Sequence, residues 1–278
     1  MDYSLIFIAA IITFVFGLLV LFVNFHKILN FVLLTVFFVS FLLFGYSIWT
    51  SQSIRSAFLN QESRPAASPY DSHILLKESV LLDIPVISQL PELPRGCEVT
   101  SLAMLLQHAG VHMDKMELAE RIKKDPTPYQ LKNGRVNFGN PNVGFVGDMY
   151  TLNKPGYGVY HKPIKELADR YLSNRAVDFT GSDFSKIETI LSNGIPVWII
   201  INSWYKELPT EQFRKWKTPV GEVQITYREH SVLVTGYDKD YVYVNDPLTV
   251  EKNKKVPKQN FIKAWVQMGS QAITYVNS

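Results

Sequence analysis

Hydrophobic and polar positions divide the chain into three regimes. Ser4–Phe25 and Ile28–Trp49 are each 22 residues long and contain no Asp, Glu, Lys or Arg. At about 1.5 Å per residue each forms a helix of about 33 Å, enough to cross the core of a bilayer. His26 and Lys27 leave a minimal turn, so residues 1–50 read as a transmembrane helical hairpin at a cell membrane. Asp2 stands where a cleaved signal peptide carries its basic segment, and Tyr46 and Trp49 suit an interfacial aromatic belt. Lys27 against Arg55 and Arg64 leaves the orientation open. Residues 51–78 turn polar, with Gln61-Glu-Ser-Arg-Pro-Ala-Ala-Ser-Pro, the composition of an extended linker.

Residues 79–278 alternate helical and strand-like patterns. Val80–Ser88 reads as an edge strand because of Pro85. Val99, Leu102, Ala103 and Leu106 mark one face of a helix that starts at Cys97 and stops at Gly110. Asp114 and Glu117 form a capping-box-like pair for a short helix reaching Ile122. Pro163–Leu172 reads as a helix, as does Asp183–Asn193, stopped by Gly194. Pro196–Ile201 is an unbroken apolar run suited to a buried central strand, and His230–Gly236 with Tyr241–Asp246 reads as a hairpin turning at Asp238-Lys-Asp. Pro257–Trp265 suits a short helix and Ala272–Val276 a closing strand. Helices precede a mostly antiparallel sheet, so the fold class is α+β. Asp125–Tyr160, rich in Gly, Pro and Asn, reads as a functional loop region; its glycines lack the lysine of a phosphate loop.

A formal net charge of +3 over 278 residues is too small for a nucleic-acid binder. One cysteine excludes an internal disulfide and a zinc site built on cysteine pairs. That cysteine, Cys97, opens a core helix, where unpaired N–H groups and the macrodipole favour an anion. Together with Arg95 they are expected to lower the thiol from its usual pKa of about 8.5. A small buried hydrophobe is the alternative use of such a residue.

Thiol catalysis needs a base, a group that orients it, and oxyanion donors. His26 lies in the membrane turn and His73 in the linker. His108 sits about 16 Å along the helix from Cys97, too far for contact. His112 follows a helix end, and His161 is a reserve candidate beside the loop region. His230 begins a strand, and a turn centred near Lys239 sets position 232 opposite 246, making His230 and Asp246 diagonal neighbours on one face. A surface His–Asp pair has the same signature. Gln89, eight residues before Cys97, offers an amide beside the Cys97 N–H.

The order Gln…Gly-Cys before an apolar helix, followed far downstream by His-Ser-Val-Leu-Val-Thr-Gly-Tyr and Val-Tyr-Val-Asn-Asp-Pro, resembles the papain-clan cysteine peptidases. More closely it is similar to cysteine peptidase family thirty-nine, the bacteriocin-leader-processing type, in its stand-alone bacterial branch. The resemblance covers roughly Leu82–Val276. It implies a papain-like fold with a helical half and a β half, and a cleft between them. It further implies Cys97 as nucleophile, His230 as general base, Asp246 as orienting carboxylate and Gln89 as oxyanion donor, in an extracytoplasmic domain. No ATP-binding domain accompanies these residues, which leaves the substrate open.

The expected protein is a membrane-anchored cysteine peptidase acting on a peptide or protein through a Cys-His-Asp triad and a thioester, with no metal or organic cofactor. The same thioester chemistry serves acyl transfer or transamidation, and an inactive module binding a peptide or cell wall is the non-enzymatic alternative. Gly139–Tyr160 and Trp204–Trp216 are the expected cleft walls.

Overall fold

Six consecutive buried residues, Val-Trp-Ile-Ile-Ile-Asn, make β7 (Val197–Asn202), the strand around which the sheet is laid. Its first five positions are all apolar, which suits a strand covered on both faces, and both of its edges are paired. The computed structural model describes residues 11–14, 34–43, 46 and 76–277. The chain divides into two units, Met1–Ser72 and His73–Ser278. In the first, residues 11–14 and 34–43 are helical. Among the described residues no helix is long and apolar enough to cross a membrane. Most of Ser4–Phe25 and Ile28–Trp49, and of the 51–78 linker, lies outside the described residues.

In the second unit, β7 pairs antiparallel with β10 (Glu229–Tyr237) on one edge and with β13 (Ala272–Tyr275) on the other. The sheet continues through β11 (Tyr241–Asp246) to β12 (Glu251–Pro257), and through β13 to β6 (Ala176–Asp178). The last strand in sequence is therefore internal rather than at an edge. Val80–Ser88 contributes only a two-residue strand, β1 (Val80–Leu81), which pairs with the far end of β10. Gly236 makes that pairing feasible, because a Cβ there would lie 2.2 Å from the Val80 carbonyl oxygen. Gly236→Ala is therefore expected to unseat β1 and lower stability by about 1–3 kcal/mol, read from thermal unfolding.

Helix α1 (Cys97–His108) is buried from Cys97 to Leu106 and packs on β10 and β7. Gly110, at φ 81°, reverses the chain, and the Val111 N–H returns to the Leu106 carbonyl at 2.9 Å, closing a Schellman-type end. Helix α2 (Lys115–Arg121) starts at Asp114, whose carboxylate accepts from the Met116 N–H at 2.6 Å. α3 (His161–Leu172) packs beside α1, and α4 (Phe184–Ser192) and α5 (Lys258–Gln267) pack on the sheet, with Phe184 edge-on to Phe261 and Trp265.

The expected irregular stretches carry more order than their pattern suggests. Lys124–Asp125 (β2) pairs with Phe145–Val146 (β5), and Gln130–Lys132 (β3), Arg135–Asn137 (β4), Phe213–Thr218 (β8) and Gly221–Thr226 (β9) form a second sheet, ordered β3-β4-β8-β9. These strands are short and largely exposed; β8 fully buries only Trp216, so no alternation shows in the sequence. Trp216 anchors this sheet, its ring edge-on to Phe138 and Tyr157 and its indole N–H donating to the Gly139 carbonyl at 2.9 Å.

Candidate active site

Cys97 is the first residue of α1, capped by Gly96. It lines a cavity of about 230 Å³ together with Gln89, Arg95, Tyr157, Glu229 and His230. Leu152, Gly156 and Tyr157 bring the 139–160 stretch to the cavity wall; Ser203, rather than Trp204, comes from the segment after β7.

β10 delivers His230, which pairs with Ile201 across the sheet. Its Nε2 lies 2.9 Å from Asp246 Oδ1 at the end of β11. The register Leu233↔Asn245 is the one that sets 232 opposite 246. With Nε2 donating to the carboxylate, Nδ1 is left as the basic nitrogen. Asp246 has further partners absent from the sequence reading: Tyr205 OH donates to Oδ2 at 2.8 Å, Lys254 Nζ lies 3.2 Å from Oδ2, and the Leu248 N–H donates to Oδ1 at 2.9 Å. Burial pushes this carboxyl up, but the His230, Tyr205 and Leu248 hydrogen bonds outweigh it and hold it well below the carboxylate range. Tyr205 sits at positive φ in the turn after β7, and its ring stands edge-on to the imidazole. A tyrosine amid loop residues carries no sequence signal for this task.

The sulfur's electrostatics differ from expectation. Burial comes first, then the charges of Glu98 and Glu229, and together they push the thiol well above its ordinary range; the Ser231 backbone only partly offsets them. A helix N-terminus supplies about half a unit of positive charge, less than two neighbouring carboxyls can withdraw. These effects favour the thiol, which donates to Glu98 Oε2 at 3.3 Å. Glu98 and Glu229, each adjoining a nominated residue, lie outside the sequence expectation. The available signal was an acidic residue inside an otherwise buried helical turn.

Gln89 reaches the cavity, but its amide nitrogen donates to the Leu93 and Pro94 carbonyls, both at 3.2 Å, and its Oε1 is buried without a partner. Its backbone N–H donates to the Pro247 carbonyl at 2.9 Å, tying the approach to α1 to the end of β11. His161, the reserve candidate, is held 2.5 Å from Asp178 and lines a different cavity; His108 bonds Tyr275 OH at 2.8 Å. Cys97, Glu98 and Glu229 bring one ligand atom each to within 4.8 Å.

A helix supplies the sulfur and a sheet supplies the imidazole with its carboxylate, both opening on one cavity; this is the plan of a cysteine peptidase. The chain belongs to the Peptidase_C39 like family, whose model matches residues 81–273. It is 47% identical over 196 residues to the uncharacterized protein YvpB of Bacillus subtilis strain 168, covering 69% of this chain and 74% of that one. It is also similar to the crystal structure of a proposed C39-like peptidase from Bacillus anthracis, at TM-score 0.68 and 50% identity, over 73% of this chain and 99% of the other. The mixed helix-and-sheet fold is thus that of the C39-like peptidases.

Proposed function

We propose that this chain is a cysteine peptidase, tethered to the membrane by its N-terminal hairpin and acting outside the cytoplasm on a peptide or protein. The observation that carries the reading is that Cys97 and His230 line one cavity while Asp246 fixes the imidazole from behind. His230 Nδ1 takes the thiol proton as sulfur attacks the peptide carbonyl, forming a C–S bond. The oxyanion rests on the Cys97 N–H and on Gln89, which exchanges one of its two long carbonyl bonds for it. His230 then returns the proton to the departing amine, and the C–N bond breaks. A water deprotonated by His230 hydrolyses the thioester and frees the sulfur.

Incubating the full chain in detergent with a mixed peptide library tests this. New carboxyl termini, with a transient acyl adduct on Cys97, are the expected result. An adduct that passes only to added amines assigns the chemistry to acyl transfer. Neither adduct nor product over the whole library leaves a binding module and overturns the reading.

A further inference from the structure

The proposed mechanism makes no use of two buried carboxyls that press on its nucleophile. Glu98 is fully buried; its Oε1 accepts from the Val159 N–H at 2.7 Å and its Oε2 accepts from Cys97 Sγ at 3.3 Å. With Oε1 taken by an amide donor, the proton of a neutral Glu98 sits on Oε2, the oxygen that faces the sulfur. The contact therefore reverses with charge. An ionised Glu98 accepts from S–H and stabilises the thiol; a neutral Glu98 donates to S⁻ and stabilises the thiolate.

Glu229 stands beside this pair, with Oε1 buried and unpartnered. Gly158 admits both carboxyls, since a Cβ there would lie 2.4 Å from Glu98 Oε1 and 2.8 Å from Glu229 Oε2. Among the described residues no cation pairs with either carboxyl. Burial lifts Glu98 to about 7, and burial with the Glu98 charge lifts Glu229 well above its ordinary value.

We propose that Glu98 is a positioning residue that switches the Cys97 sulfur between resting thiol and reactive thiolate, with Glu229 as its companion charge. The inference rests on Cys97 being the nucleophile. Other ionisable groups surround the site without entering this contact. Arg95, on the approach to α1, gives its guanidinium to the carbonyls of Asp148 and Thr151. His230 faces Asp246, which is backed by Tyr205 and Lys254. The Tyr157 and Tyr160 hydroxyls bond each other at 2.9 Å, ahead of α3. When the thiolate forms, the sulfur proton passes to His230 Nδ1, and the Glu98 proton, taken from solvent on the acid side, stays on Oε2.

The chain has a single cysteine, so alkylation by iodoacetamide, followed by mass spectrometry, reports Cys97 alone. An ordinary thiol reacts faster as pH rises toward its pKa. Here the full chain in detergent is expected to react about tenfold more slowly at about pH 8 than at about pH 6, one pKa unit of added thiol stabilisation. Glu98→Gln should lose that fall. A wild-type rate that climbs steadily with pH overturns the inference without need of a variant. A fall that persists in Glu98→Gln also overturns it, by assigning the fall to another group of the site. Alkylation needs no substrate, so either result stands apart from whether the chain cleaves peptides.

Discussion

Cys97→Ala is expected to remove turnover while leaving the fold in place. Removing a nucleophile from an acyl-transfer set costs about 10⁴-fold or more in kcat, because the residual donors cannot supply the missing covalent step. The side chain that disappears is small, and the hydrogen bond it gives Glu98 is long, 3.3 Å to sulfur. The stability change is therefore about 1–2 kcal/mol at most, the cost of leaving one buried acceptor without its donor. Hydrolysis of the best peptide from the library, beside calorimetric melting of both proteins, separates the two effects. A variant that melts like wild type yet keeps a tenth of its turnover removes Cys97 from the chemistry.

Asp246→Ala combines a large loss of rate with a large loss of stability. Without the carboxylate the imidazole keeps neither its tautomer nor its aim, at an expected cost of about 10²–10⁴ in kcat. Tyr205 OH, the Leu248 N–H and Lys254 lose their acceptor at the same time. Breaking a buried ionic cluster in this way costs about 3–5 kcal/mol near neutral pH. The pH dependence carries the sign. The folded carboxyl titrates below its unfolded value of about 3.9, so its stabilisation is complete above about pH 4 and is lost as the solution is acidified further. The gap between wild type and variant in urea unfolding should close below about pH 4; a gap that stays constant there rules out an ionised Asp246. Glu98 works the other way, since its folded value is raised to about 7 and stability declines as pH rises toward it.

Much of this was legible in the residue pattern, and the parts that were not have physical reasons. β7 announces itself because five consecutive positions are apolar, and α1 because its apolar residues repeat at helical spacing up to a glycine stop. Asp238-Lys-Asp marks the β10–β11 turn, but the pairs beside it, Tyr237↔Val242 and Gly236↔Tyr243, are one residue out of step with Leu233↔Asn245; an irregularity between Val234 and Gly236 restores the register that brings His230 to Asp246. The β3-β4-β8-β9 sheet leaves no such trace, because β8 is Phe-Arg-Lys-Trp-Lys-Thr and only its tryptophan is fully buried. The state of the sulfur departs from expectation for a different reason. Helix position and the adjoining Glu98 are written in sequence, whereas the burial of that pair and the further charge beside it depend on what distant segments fold against them. Glu229 comes from β10 and the Val159 amide from the approach to α3, and neither is near Cys97 in the chain.

The hydrogen bond from the Gln89 N–H to the Pro247 carbonyl, with that from Asn245 Nδ2 to the Ile84 carbonyl, stitches the chain before α1 to the end of β11. A guest that pries the chain before α1 outward must also tug on the corner that follows Asp246. Entry of a bulky occupant would then slacken the sulfur's doorway and the imidazole's prop in one movement, where two unlinked loops would give way separately.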